Sequence, residues 1–570
     1  MLNVQRNRVR QFIELSGFYR FKTDPGKIGE QEGWPCGLPD YREIAVPSSW
    51  NEQYQDLSEY LGTAWYERTE YVPADWKGQK TILRISAAYY YSKVWINGIY
   101  AGENAGGSLP FEFDASDKIE YGGKNKIVVS VNAEQDPDRL PPGNFPPSEW
   151  ESPWQGQYPS NNYDFYPYAG IHRPVYLYSL PETHIENVAV TTDVRDGAGV
   201  VEFQASVSSG DYDKVKVFID GVLRKETTSD SSVIIENPAL WDVGQPNLYD
   251  LTLVLEINGQ TLDEYTIPVG IRTVKTEGNK LLLNGRPVFL TGFGKHEDFM
   301  ILGKGLNHAL IVKDYNLMDW IGANSFRTSH YPYSEEMLEY ADRHGVLVIS
   351  ETPLVGLMKR NFQQKGLNDA KEQLSRLIER DRNHPSVIMW SVANEPTSNQ
   401  PESENFFIGL YNHAKSLDDT RPVALVSCIG SESDVALKHF DVICVNRYYG
   451  WYSEPGQLDL ACELLDKDLE NCFQTYKKPI MVTEFGADAI PGMHYDPPRQ
   501  FTEEYQAQMI TRQYEIIRSK EFTVGAHVWA FADFKTSQIY MRVVLNYKGV
   551  FTRERQPKLA AHALRKIWRG

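Results

Sequence analysis

The sequence has no run approaching the roughly 18 consecutive apolar residues of a membrane-spanning helix, which excludes a helical membrane protein. It has no basic block either. Lys and Arg number 58 against 76 Asp and Glu, a formal charge of -18, and without clustered cations a nucleic-acid partner has no source of counterion release. Cysteine is scarce, with five in 570 residues (Cys36, Cys428, Cys444, Cys462 and Cys472). Their odd number and irregular spacing argue against a disulfide framework and a zinc site, and predict reduced, mostly buried thiols. No N-x-S/T acceptor occurs, and the first residues, "MLNVQRNRVRQFIELSGFYRF", lack the apolar core of a signal peptide. A cytoplasmic protein is the expectation; a secreted one requires a leader already removed.

What the chain does have is aromatic surface: 34 Tyr and 13 Trp, within a 12% aromatic share, a bias common to sandwich cores and sugar-binding surfaces. At about 150 residues per domain its length predicts three or four domains. From residue 10 to 180, short alternating runs such as "AWYERTEYV" and "NKIVVSVNAE" are broken by Gly, Asn, Asp and Pro, which predicts an all-β sandwich. Residues 136–167 within it form a Pro-, Trp- and Tyr-rich stretch too long for a simple connection, whose aromatics are expected mainly to pack the loop. A second set of strands from 182 to 274 suits an immunoglobulin-like sandwich.

From residue 275, apolar strands alternate with helical patterns. Eight strand candidates appear: "VFLTGFG", "GANSFRTSH", "GVLVISE", "VIMWSVANE", "PVALVS", "VICVNRYY", "PIMVTEFG" and "GAHVWAFADF". Eight βα units over this length predict a TIM barrel. The expected fold is thus multidomain, β plus α/β: a jelly-roll-like β-sandwich (1–181), an immunoglobulin-like β-sandwich (182–274) and a (β/α)8 barrel (275–570).

Barrel active sites lie at the C-terminal ends of the strands. There the sequence places His296 and Glu297, Arg327 and His330, Glu351, Asn394 and Glu395, Asn446, Arg447 and Tyr448, Glu484, Trp529 and Asp533. Glu395 and Glu484 end the fourth and seventh strands, across the barrel mouth from each other. Glycoside hydrolysis needs such a pair, one acid to protonate the leaving oxygen and one carboxylate to act at the anomeric carbon. Glu351 is expected to be structural, paired with a neighbouring Arg. A last cluster, Arg542, Asn546 and Lys548 in "MRVVLNYKGVFTRERQPK", gathers donors in an acidic chain, whereas Arg553 and Arg555 beyond it are expected on a solvated or interface face.

"ANEP" after strand four and "TEFG" after strand seven, behind two sandwiches, resemble glycoside hydrolase family 2. The runs "GKHEDFMILGKG", "RDRNHPSVIMWSVANEP", "VNRYYGWY" and "MRVVLNYKGVFTRERQPK", with "YDFYPYAGIHRPVYLY" in the first sandwich, are similar to its β-glucuronidases. The resemblance implies a retaining exo-β-D-glucuronidase without metal or organic cofactor, acting on small-molecule or oligosaccharide glucuronides and assembling as a homodimer or homotetramer. It implies Glu395 as acid/base, Glu484 as nucleophile and Arg327 as its support. Asp164, His330, Asn394, Asn446, Tyr448, Tyr452 and Trp529 then contact the sugar, and Arg542, Asn546 and Lys548 read its carboxylate. A family 2 β-galacturonidase or β-galactosidase is the alternative within this chemistry, because the sequence does not orient Asp164 toward the 4-hydroxyl. A non-catalytic carbohydrate-binding protein is the alternative outside it, disfavoured by retention of both glutamates. Two departures stand out: the short segment "TPLVGLMKRNFQQKGLNDAK" after strand three, which implies a more open entrance, and Phe485 where many relatives carry Tyr.

Overall fold

The computed structural model describes residues 1–150, 153–208, 210–228 and 230–570. In the first sandwich, a six-stranded antiparallel sheet faces a four-stranded one. Its longest strands, Thr63–Val72 and Gly123–Asn132, pair along their whole length. Between the sheets the alternating apolar residues, among them Tyr66, Leu83, Ile85, Val94, Val129 and Leu177, close one core. The second sandwich sets three strands against four. Lys214–Ile219 shows why: in KVKVFI, Val215, Val217 and Ile219 turn inward and the residues between them outward, the two-residue period of a half-buried strand.

The barrel follows another rule. Its eight parallel strands are β1 (Leu290–Lys295), β2 (Ser325–Thr328), β3 (Leu347–Glu351), β4 (Val387–Asn394), β5 (Val423–Ser427), β6 (Val442–Asn446), β7 (Ile480–Phe485) and β8 (Thr523–Trp529), closed by β1 pairing with β8. Buried on both faces, they need continuous apolar sequence. Every residue of β4, VIMWSVAN, is buried. Each of the eight sequence candidates forms its strand. The helices are less regular: α1 (His308–Ile321), α2 (Glu335–His344), α3 (Gln364–Asp381), α4 (Pro401–Leu417), α5 (Leu458–Tyr476), α6 (Glu503–Ser519) and α7 (Leu559–Arg569). Between β5 and β6 the described chain makes only a 3-10 turn, Leu437–His439. Helix α2 shows how the termini are set. Ser334 accepts from the Met337 N–H, Glu335 and Glu336 occupy the positive first turn, and Gly345 at φ 65° closes the far end.

The barrel floor is closed by Leu281 and Leu283 of a small hairpin together with Trp241 of the second sandwich, packed on Leu290, Leu347 and Met481. The mouth is left to the loops. One of them comes from the first sandwich: Tyr158 and Gln538 exchange backbone hydrogen bonds of 3.1 and 2.6 Å, and Asn161 donates to Ser537 Oγ at 2.9 Å. Asn162 donates to the Gly356 carbonyl at 2.6 Å, and the Tyr166 N–H donates to the Lys535 carbonyl. These bonds fix a sandwich segment across the barrel mouth. Of its aromatics, Tyr163 stacks on Phe165 with ring centroids 4.3 Å apart, and Tyr166 is buried. Trp150 and Tyr158 are exposed, and the side chain of Trp154 lies outside the described residues. No described helix is long and apolar enough to cross a membrane.

Candidate active site

The strand ends converge on one cleft of about 680 Å3, lined by Asp164, His330, Asn394, Glu395, Tyr448, Tyr452, Glu484 and Trp529, with Gln155, Asn162, Met358, Asn399, Gln400, Ile429 and Tyr540 also in its lining. Glu395 follows β4 with φ 47°, a left-handed conformation that costs a non-glycine residue about 1–2 kcal/mol. Its N–H is held by the Val426 carbonyl of β5 at 2.9 Å, which helps keep the turn in place. Its Oε1 accepts from Asn446 Nδ2 at 2.7 Å. Burial pushes the Glu395 carboxyl up, the Glu484 carboxylate adds to the shift, and the Asn446 hydrogen bond only partly offsets them, leaving its pKa at about 7.

Glu484 is clamped from two sides. Arg327 Nη2 reaches its Oε1 at 2.5 Å and the Tyr448 hydroxyl donates to Oε2 at 2.7 Å. Burial and then the Glu484 charge push the Tyr448 phenol well above its ordinary value, so it stays a donor. Arg327 is fully buried on β2 and holds a second acid: its Nη1 lies 2.8 Å from both oxygens of Glu351. Burial alone would raise the Glu351 pKa, but Arg327, His330 and the Ser391 hydroxyl outweigh it and hold the carboxyl low. Glu351 therefore anchors the arginine that orients Glu484. Asn394 Oδ1 accepts from Arg327 and from Asn446, each at 3.3 Å, which leaves its NH2 for the cleft. His330 stacks on Trp529 at 5.0 Å, making a flat wall.

Asn446 was expected at the sugar, but the structure commits its amide to protein. It donates to Glu395 and Asn394 and accepts from Thr483, and it is absent from the described cleft lining. His296 likewise sits behind the wall, bonded to the Tyr331 hydroxyl at 3.1 Å. The donors of the last cluster lie together at one end of the cleft. Arg542 is bonded to Asp164 and, at 2.7 Å, to the Tyr452 hydroxyl, while Asn546 Nδ2 reaches Asp164 at 2.8 Å. Lys548 is fully buried, its Nζ 2.5 Å from Asp488. Burial would raise the Asp488 pKa, but Lys548 and Arg542 outweigh it and hold the carboxyl low. Sequence reasoning missed Asp488, whose one signal is its place four residues past Glu484. It also misplaced Arg555, which is buried against Asp314 at 2.7 Å and not solvated. Arg553 is a true interface residue, joining Asp298 of the barrel to Glu52 and Tyr168 of the first sandwich.

Two carboxyl groups in one cleft with an aromatic wall, one with its pKa raised toward neutrality and one clamped by donors, define a glycosidase site. The chain belongs to the glycosyl hydrolases family 2: residues 12–181 match its sugar binding domain, 274–570 its TIM barrel domain, and 183–272, between them, a model described simply as glycosyl hydrolases family 2. It is 43% identical to a β-glucuronidase of Paenibacillus borealis, covering 100% of this chain and 98% of that one. A solved β-glucuronidase from an uncultured Clostridium sp. superposes with a TM-score of 0.94 at 39% identity, covering 100% and 99% of the two chains. The β-glucuronidase of Ruminococcus gnavus, solved in complex with D-glucaro-d-lactam, does so at 0.94 and 35% identity, with the same coverage.

Proposed function

We propose that the protein is a retaining exo-β-D-glucuronidase that converts β-D-glucuronides to D-glucuronate and an alcohol. The observation that carries this reading is the donor cluster Arg542, Asn546 and Lys548 at one end of a cleft holding Glu395 and Glu484. A glucuronide differs from a glucoside by a C6 carboxylate, which such a cluster answers. Glu395 protonates the leaving oxygen while Glu484 attacks the anomeric carbon and forms a glycosyl ester. Glu395 then takes a proton from a water whose oxygen attacks the anomeric carbon, breaking the bond to Glu484, and this second inversion releases the sugar with retained configuration. Esterifying Glu484 removes its negative charge, after burial the largest cause raising the Glu395 pKa, and so favours the base role in the second step. Arg327 and Tyr448 orient the nucleophile. Asn394 offers its NH2 to the 2-hydroxyl, and His330 and Trp529 wall the ring.

A panel of p-nitrophenyl β-glycosides tests this, with glucuronide, galacturonide, glucoside and galactoside compared by kcat/KM. Strong preference for the glucuronide is expected; equal turnover of glucoside and glucuronide would sink the carboxylate reading, and a galacturonide preference would reassign the 4-hydroxyl. We further infer a homodimer or homotetramer, on family resemblance alone, checked by light scattering. A cytoplasmic site fits the five cysteines, none bridged to another, and cell fractionation checks it.

A further inference from the structure

The cationic end of the cleft is already occupied by a carboxylate of the protein itself. Asp164 accepts from Arg542 Nε with both oxygens, at 3.1 and 3.0 Å, from Arg542 Nη2, and from Asn546 Nδ2 at 2.8 Å. These are the charge-assisted donors that a uronate needs. The arrangement is also layered. Asp164 and Tyr452 line the cleft, whereas Arg542, Asn546 and Lys548 are absent from its described lining. From the cleft, the aspartate stands in front of the donors.

Charge counting leads to the same point. Two cations, Arg542 and Lys548, face two carboxylates, Asp164 and Asp488, with Arg542 Nη1 3.8 Å from Asp488 and Lys548 Nζ 2.5 Å from it. The cluster is formally neutral before substrate arrives. A uronate added to it leaves one negative charge uncompensated in a buried setting, which is costly. One resident carboxylate must give way. Asp488 is fixed, with one oxygen accepting the Tyr547 N–H at 2.8 Å, the other on Lys548, and a side chain 2% exposed. Asp164 is the looser of the two, 24% exposed and carried on the loop that the first sandwich lends to the barrel.

We propose that Asp164 is a specificity-determining residue that acts as a tethered competitor. In the free enzyme its carboxylate holds the place of the substrate's C6 carboxylate on Arg542 and Asn546, and only a sugar bringing its own carboxylate displaces it. A neutral glycoside offers nothing to replace the aspartate, so it meets an end closed by the Asp164 carboxylate. The displaced side chain stays at the cleft wall, next to the hydroxyl side of the ring. Asp488 is the positioning residue that keeps Lys548 in place through the exchange.

The inference rests on the glucuronide reading, and its test separates the two. Competitive inhibition constants of free D-glucuronate and D-glucose are measured for the wild type and for Asp164→Asn, with folding checked by thermal melt. Contacts of residue 164 with the ring hydroxyls are common to both sugars and cancel in the ratio of the two constants. Removing the competing charge should widen the preference for glucuronate over glucose by about tenfold or more, the scale of coupling between close charges. An unchanged or narrowed ratio overturns the inference and leaves the glucuronide reading standing. A wild type with no preference for glucuronate overturns that reading and this inference with it. If the variant does not fold, a crystal structure of the wild type with glucuronate decides: Asp164 turned away from Arg542 and Asn546 supports the exchange, and Asp164 still bonded to both refutes it.

Discussion

At the scale of single residues, the cleft works by separating two glutamates that share a charge environment. Glu395 is half-buried near Glu484, and its pKa of about 7 leaves a large share of it protonated, and so available as an acid, in neutral solution. Deprotonation removes the acid, so kcat/KM on a glycoside with a poor leaving group is expected to fall as pH rises through about 7. Glu395→Gln should abolish that alkaline limb along with most turnover; a limb that survives in the variant would belong to another group. Glu484 is tested differently. Glu484→Ala should lose turnover and recover it with added azide, which attacks from the vacated side in one inverting displacement and yields an α-glycosyl azide. A β-glycosyl azide would move the nucleophile elsewhere. Both glutamates were legible in the sequence because each ends an apolar strand in a family motif. Asn446 was legible only as a polar strand end, and which way its amide is committed depends on Thr483 of the adjacent β7 and on Glu395 just past β4. Asp488 was barely legible, because beyond its nearness to Glu484 its meaning comes from Lys548, sixty residues further on.

At the scale of elements, what matters is how rigidly loops are held to strands. The segment carrying Asn546 and Lys548 turns back onto the chain after β8 at Gly549. A methyl group there would stand 2.1 Å from Asp533 N and 2.3 Å from Ala532 C, both backbone atoms that have no room to yield. Gly549→Ala is therefore expected to shift the donor loop and cost uronide turnover at least 100-fold, roughly the loss for an ångström of misplacement. A variant with wild-type kcat/KM would show that the loop tolerates displacement. The elements themselves were largely readable, since a buried parallel strand needs an uninterrupted apolar run. The missing helix between β5 and β6 was not. Its segment, 428–441, holds several polar residues around a short apolar turn, and strand counting filled the gap by analogy with its neighbours. Arg555 was misread for a related cause: "TRERQPK" is hydrophilic as a string. Its arginines are buried only because Asp298, Glu52 and Asp314 come from distant parts of the chain to meet them.

At the scale of the whole molecule, the first sandwich is part of the active site, because it supplies Asp164, and its seating on the barrel must be specific. One contact fixes it in a buried place. Arg84, in the sandwich strand Lys80–Ile85, donates to Glu335 of α2 at 2.6 Å, to Glu112 at 3.0 Å and to the Leu2 carbonyl at 2.8 Å. Burial alone would raise the Glu335 pKa, but Arg84, aided by Arg380, outweighs it and holds the carboxyl low. Arg84→Ala leaves Glu335 buried without its main partner, a loss of about 3–5 kcal/mol for breaking such a pair. It should appear as a lower denaturant midpoint at neutral pH. The pH dependence carries the diagnosis. A carboxylate with a depressed folded-state pKa contributes its stabilisation in full above its unfolded value, near 4.5 in this case, and loses it as pH falls through the folded value. The gap between wild type and variant should therefore be widest near neutrality and narrow in acid below about 4.5, as protonation removes the Glu335 charge that Arg84 compensates. A gap independent of pH would assign the loss to packing of the arginine stem, and no gap at all would show that the sandwich is seated by its other contacts, Arg173 with Glu297 and Arg553 with Asp298 and Glu52.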